Sequence, residues 1–269
     1  MKRTLWFSLL LSLILTSCSE YSKVLKSTDL EYKYSMAVAY YDAGECFKAL
    51  PILDELISLT RGTQRAEDVF YYYAKSHFCT KDYYLANYFF KQFARTWSTS
   101  PRAEECLFLA AICSARLSPE SSLDQTDTKA ALDEFQLFID SYPNSALRDS
   151  CNNMMQRLDM KLENKNFEIA RLYEKTLKFK SASLALKGFL KDYPDSRYKE
   201  EAMYLIIKSD FEYAERSIET KKLERYRAVL ESYLTFATLF PESRWLRQGE
   251  SYYLRSRKQV ERLTTGEIQ

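Results

Sequence analysis

Glycine and proline are both scarce, with 5 Gly and 6 Pro in 269 residues. A sheet-rich fold of this length needs many tight turns, and turns draw on those two residue types. Their shortage argues for helices. Histidine is scarcer still, a single His77. A zinc site would have to rest on cysteines or carboxylates, and none stand at ligand spacing. There is no Gly-rich phosphate loop, nucleophile elbow or His-Glu-x-x-His pattern. Adjacent acids such as Glu104-Glu105 and Glu200-Glu201 point about 100° apart on a helix and read as first-turn charge favoured by the helix dipole. His77 reads as a packed ring. The chain is therefore expected to be no enzyme and to need neither cofactor nor metal. Neither sign of charge is in excess, 39 Lys and Arg against 37 Asp and Glu, so nothing favours nucleic acid as a partner.

A long apolar run is also missing. The nearest to one is Thr4 to Leu15, about a dozen residues against the roughly 20 that span a bilayer as a helix. Lys2 and Arg3 precede it and Thr16-Ser17-Cys18 close it, the build of a secretory signal. Leu15-Thr16-Ser17-Cys18 resembles the bacterial lipobox, which implies cleavage after residue 17 and acylation of Cys18. Several acyl chains together hold a protein on a membrane where one would be marginal. Ser19 is not the Asp that retains lipoproteins in the inner membrane, which points to the outer membrane. Residues 19–23 lack an acidic pair resembling a surface-export tag, which points to its periplasmic face.

Five further cysteines follow: Cys46, Cys79, Cys106, Cys113 and Cys151. Five cannot all pair, and no Cys-x-x-Cys occurs among them. An exported chain can form one or two bridges, but the expectation is five small buried residues at helix packing positions.

What the sequence does have is a recurring phrase, aromatic-Pro-polar-Ser: Tyr142-Pro143-Asn144-Ser145, Tyr193-Pro194-Asp195-Ser196 and Phe240-Pro241-Glu242-Ser243, with a looser form in Trp97–Pro101. Proline cannot continue a helix, and a serine soon after it can cap the next one. Each phrase reads as one helix ending and another beginning. Small residues keep register with these breaks: Ala37 and Ala49, Ala74 and Ala86, Ala131, Ala170 and Ala182, then Val229. Here the chain resembles the tetratricopeptide repeat (TPR), whose two helices cross closely at small residues. Intervals between second-helix positions (Ala49, Ala86, Ala131, Ala182, Val229) all exceed the standard repeat of about 34 residues. The excess sits in the loop 118–128 and in an extra helix over 145–163.

The expected fold is an all-α solenoid of about five degenerate TPR-like helix pairs with an extra C-terminal helix. The expected division is a signal over 1–17, a lipidated tether over 18–28, the solenoid over 29–263 and a disordered tail over 264–269. Helices are expected near 29–43, 46–60, 65–79, 82–97, 101–117, 128–142, 145–163, 166–178, 181–193, 197–219, 222–240 and 243–263.

Two surfaces are candidates for recognition. Aromatics crowd the first two pairs, and on the TPR template Tyr34, Val38, Tyr41, Asp68, Tyr71 and Lys75 face the inner groove. Aromatic anchors with a few charges suit an extended peptide with apolar side chains, although most such rings could instead pack between helices. The last helix is basic, with Arg244, Arg247, Arg255, Arg257, Lys258 and Arg262 against Glu250 and Glu261. It reads as a docking face or a merely solvated one.

Lipobox, degenerate repeats and the stretches Phe135–Ser145 and Phe189–Ala202 together resemble the BamD family, lipoproteins of outer-membrane β-barrel assembly, over about residues 25–240. The resemblance implies a subunit that docks through its C-terminal repeats on a BamA-like barrel subunit, alongside other lipoproteins of the machine. It also implies N-terminal repeats that receive C-terminal segments of unfolded barrel proteins. Val229 stands where the repeat favours Ala, so no individual docking residue is assigned at that end. Another periplasmic TPR lipoprotein, organising peptidoglycan enzymes, is the alternative.

Overall fold

The computed structural model describes residues 20–266. Twelve helices and no strand occur among them. They are a short α1 over 20–26, then α2 Leu30–Asp42, α3 Cys46–Leu59, α4 Ala66–Cys79, α5 Tyr83–Thr96, α6 Ala103–Leu117, α7 Thr126–Ser141, α8 Arg148–Lys175, α9 Phe179–Asp192, α10 Lys199–Glu215, α11 Glu219–Leu239 and α12 Leu246–Gly266. None is long and apolar enough to cross a membrane. The chain divides into two compact units between Leu158 and Asp159. In each, successive helices pack on their chain neighbours, the nearest-neighbour pattern of a helical repeat array.

The small residues lie where the repeat requires them. Ala37, Ala49, Ala74, Ala86, Ala131, Ala170, Ala182 and Val229 are all buried, so paired helices approach without a side chain to separate them. The recurring phrase has a fuller structure than a helix break. Its aromatic is the C-cap residue, whose N–H donates to the carbonyl of the Phe four residues earlier: Trp97 to Phe93 at 2.9 Å, Tyr142 to Phe138 at 2.9 Å, Tyr193 to Phe189 at 2.8 Å and Phe240 to Phe236 at 2.8 Å. The two rings of each pair also touch, 5.1 to 5.7 Å between centroids. One aromatic pair thus closes the backbone and fills the core at the same place.

The serine does not cap the next helix directly, since the helix starts beyond it, at Ala103, Arg148 and Lys199. It accepts from the backbone N–H two residues on, at 3.1 Å for Ser100, 3.0 Å for Ser145 and 2.9 Å for Ser196. It also donates to a glutamate of the preceding repeat: Ser100 to Glu67 at 2.6 Å, Ser145 to Glu104 at 2.5 Å, and Ser196 to Glu163. Hydroxyl–carboxylate bonds are short and strong for their kind, so these three serines tie consecutive helix pairs together.

Three expectations are corrected. The helices expected over 145–163 and 166–178 are one, α8. Asn164-Lys165-Asn166 reads as a break, but the backbone stays helical through it. Asn164 accepts from the Tyr198 hydroxyl at 2.9 Å and Asn166 donates to the Tyr193 hydroxyl at 2.8 Å. The tether expected over 18–28 is, from residue 20 onward, the helix α1 and a short turn. Val24 of α1 is fully buried in the first core, and the Tyr21 ring meets Tyr40 edge-on at 5.7 Å. At the other end α12 continues to Gly266, so the tail expected from residue 264 begins as helix.

The cysteines are also corrected. Cys46 and Cys79 form a disulfide joining the start of α3 to the end of α4, while Cys106, Cys113 and Cys151 are free and buried. Burial raises the thiols of Cys106 and Cys113 to about 12 and that of Cys151 to about 11, so these three behave as packed apolar groups.

Candidate functional site: an aromatic and charged seam on the first unit

The first helices of the first three pairs are α2, α4 and α6. Residues three or four apart on one helix share a face, which puts Tyr34, Val38 and Tyr41 together on α2, and Asp68, Tyr71, Tyr72 and Lys75 along the facing side of α4. Tyr72, on the same helix face, is the hub. Its ring meets Tyr34 at 6.2 Å, Tyr41 at 5.4 Å and Tyr71 at 5.5 Å, all edge to face, the arrangement that ring quadrupoles favour. Val38 is half-buried on the α2 face between Tyr34 and Tyr41. Cys18 lies outside the described residues.

Charges run along the rings as a ladder. Arg65, just before α4, holds Glu31 through two hydrogen bonds of 3.1 and 2.9 Å and donates to Asp68 at 2.9 Å. Arg102, just before α6, takes the other Asp68 oxygen at 2.7 Å. The two guanidiniums lie over Tyr34 and Tyr71 at 4.5 and 4.7 Å, within cation–π range. Lys75 donates to Glu105 at 2.9 Å, and the Tyr71 hydroxyl donates to the same carboxylate at 2.8 Å.

The structure thus brings Tyr34, Tyr41, Asp68, Tyr71 and Lys75 onto one surface, and it shows that the two charged members already have partners. Sequence reasoning missed Glu31, Arg65, Arg102 and Glu105. The two arginines precede helices, so helical periodicity could not place them.

Titration follows the geometry. Burial, and then the Glu105 bond, push Tyr71 up to about 12, and burial followed by Asp68 raises Tyr34. Burial alone would raise Glu105, but the bonds from Lys75 and Tyr71 outweigh it and hold the carboxyl below its ordinary value. At neutral pH the seam presents neutral phenols among paired charges. Its rings and guanidinium faces can take apolar and aromatic side chains of an extended segment. No cluster able to hold a metal occurs among the described residues.

His77 stands apart from the seam. It is buried on α4, stacked on Phe89 at 5.2 Å and edge-on to Tyr73 at 4.7 Å. Asp82 is 3.7 Å away, too far for a hydrogen bond, and Asp54 is held by the Tyr73 hydroxyl at 3.0 Å. Burial lowers the imidazole pKa, and the two carboxylates only partly oppose that. The unfolded chain therefore binds the proton more readily, and stability falls as pH drops below about 6.5. His77→Phe is expected to flatten this acid limb between about pH 7.5 and 5.5, read as melting temperature against pH. An unchanged slope in the variant would assign the acid sensitivity elsewhere.

The basic segment from Arg244 through α12 is partly committed to contacts within the second unit. Arg244 lies over Trp245 at 4.0 Å and Arg255 over Phe211 at 4.3 Å, while Arg257 pairs with Glu261 at 3.6 Å. Arg247 and Lys258 are exposed.

The family model described as YfiO, outer membrane lipoprotein, matches residues 27–209, well over half of the chain. The chain belongs to this family. Two relatives carry the description "Outer membrane protein assembly factor BamD". One, from Pasteurella multocida, is 24% identical over 214 residues, covering 74% of this chain and 80% of the relative. The other, from Haemophilus influenzae, is 20% identical over 203 residues, covering 72% and 78%. The family match takes in α2–α9 and most of α10, and so the whole seam. It leaves α11, where Val229 replaces the small residue, and α12 outside.

Proposed function

We propose that this protein is a non-catalytic scaffold for assembly of outer-membrane β-barrel proteins, held by lipid on Cys18 at the periplasmic face of the outer membrane. Membership of the YfiO/BamD family carries the reading, and two relatives described as assembly factors support it. The seam on α2, α4 and α6 receives extended segments of unfolded barrel proteins. Rings of Tyr34, Tyr41, Tyr71 and Tyr72 take their aromatic and apolar side chains, and Val38 extends the apolar surface. Asp68 bridges Arg65 and Arg102, whose guanidiniums lie over Tyr34 and Tyr71, and Lys75 holds Glu105, which accepts from the Tyr71 hydroxyl. The remaining partners are a BamA-like barrel subunit and other lipoproteins of the same machine, with no nucleic acid.

Depletion of the protein is expected to lower the amount of folded barrels in the outer membrane, and the barrel subunit is expected to co-purify in mild detergent. Normal barrel levels, with peptidoglycan enzymes as the co-purifying partners, would overturn the proposal. A photo-crosslinker at position 41 should capture C-terminal barrel segments, while one at Leu184, exposed on α9 of the second unit, should not. Equal capture at both sites would remove the seam from the proposal.

A further inference from the structure

We infer that the edge of the first unit formed by the α2–α3, α4–α5 and α6–α7 turns lies against the bilayer surface, with Phe47 in the lipid interface. The inference rests on the reading of Cys18 as the lipid anchor and adds which face of the fold meets the membrane.

One residue, Ser19, separates Cys18 from α1. Two residues reach at most about 7 Å, so a lipid on Cys18 holds the start of α1 at the membrane surface. That start is fastened to the fold. Val24 is buried, the Tyr21 ring packs on Tyr40 near the end of α2, and the Tyr21 hydroxyl donates to the Lys48 carbonyl in the first turn of α3 at 3.3 Å. The anchor therefore brings the α2–α3 turn with it.

The adjoining turns belong to the same edge. Consecutive helices alternate in direction, and the Cys46–Cys79 disulfide fixes the start of α3 beside the end of α4, with Cα atoms 6.2 Å apart. Each turn on this edge presents a large apolar side chain to solvent: Phe47 at 77%, Tyr84 at 67% and Leu123 at 58% exposure. Single exposed apolar residues are ordinary on a protein surface. Phe47 and Tyr84 stand at the same place in successive helix pairs, the second residue of α3 and of α5, and Leu123 lies in the α6–α7 turn, all on the edge nearest the anchor. Phe47 is the most exposed large apolar residue described, and it adjoins Lys48, which pairs with Glu45 at 2.8 Å. Aromatics flanked by amphipathic lysines suit the headgroup level of a bilayer. A second point of contact also supplements the acyl chains.

The test uses the full-length lipoprotein, purified after native processing and reconstituted in phosphatidylethanolamine–phosphatidylcholine vesicles with brominated acyl chains. F47W and, as a control at the opposite end of the helices, L59W are compared with the parent chain. The indole introduced by F47W is expected to shift its emission to the blue and lose intensity to the bromines. The one introduced by L59W should do neither. The mass of the mature N-terminus is read on the same samples. An acylated Cys18 with the F47W indole unquenched, or quenched no more than that of L59W, overturns the inference and leaves the anchor standing. An unmodified Cys18 removes both.

Discussion

Reductant is expected to destabilise the native chain by about 3 to 4 kcal/mol, the loop-closure value for cross-linked residues 33 apart. Cys46 is buried but Cys79 is exposed, so the bridge can be reached without unfolding. Urea unfolding followed by circular dichroism, with and without dithiothreitol, reads the loss directly. Cys79→Ser should show the same loss in oxidising buffer and no further response to reductant. A thiol count in denaturant without reductant should find three groups beyond Cys18, since Cys106, Cys113 and Cys151 are free. Five thiols, or a midpoint indifferent to reductant, would mean that α3 and α4 are held by packing alone.

The second large effect is expected at Phe211 in the second unit. It is fully buried on α10, with its ring 5.0 Å from Tyr252 of α12 and 6.1 Å from Tyr226 of α11. Arg255 covers the same ring. Removing it empties the meeting point of three helices, so Phe211→Ala should cost about 4 kcal/mol, and Phe211→Leu less than half of that. Because α12 packs on α10 and α11, amide exchange in α12 should rise in the alanine variant first. Exchange confined to α10 would show that the remaining contacts, with Trp245 stacked on Tyr204 at 5.7 Å and Tyr253 against Tyr233 at 4.9 Å, hold α12 without Phe211. Loss of α12 would also scatter the arginines that any docking partner of this end could meet.

The prolines and alanines made most of the helix pairs legible before any coordinates. A helix stop and a buried crossing point are local properties of one residue type. The fusion in α8 was hidden because the polar run Asn164-Lys165-Asn166 imitates a break, while its two asparagines are held by Tyr198 and Tyr193, partners about one repeat away along the chain. Helix α1 was hidden because one buried valine and one tyrosine in a Ser- and Lys-rich segment leave no periodic signal. Pairing of Cys46 with Cys79 depends on two helix ends meeting, which spacing along the chain does not encode. For the seam, a template assigned the rings to one face, and the structure gathers them. It could not supply Arg65 and Arg102, whose partners lie one repeat away, nor show that Asp68 and Lys75 are already engaged.

The serine–glutamate ties have a consequence for how damage travels. Each one joins only neighbouring repeats, so the stack behaves as a row of links rather than a single block. A lesion at Ser145 should loosen one joint and spare the one at Ser100 in the same unit, as a weak link lengthens a chain only where it sits. One joint can then give way while the one beside it keeps its grip.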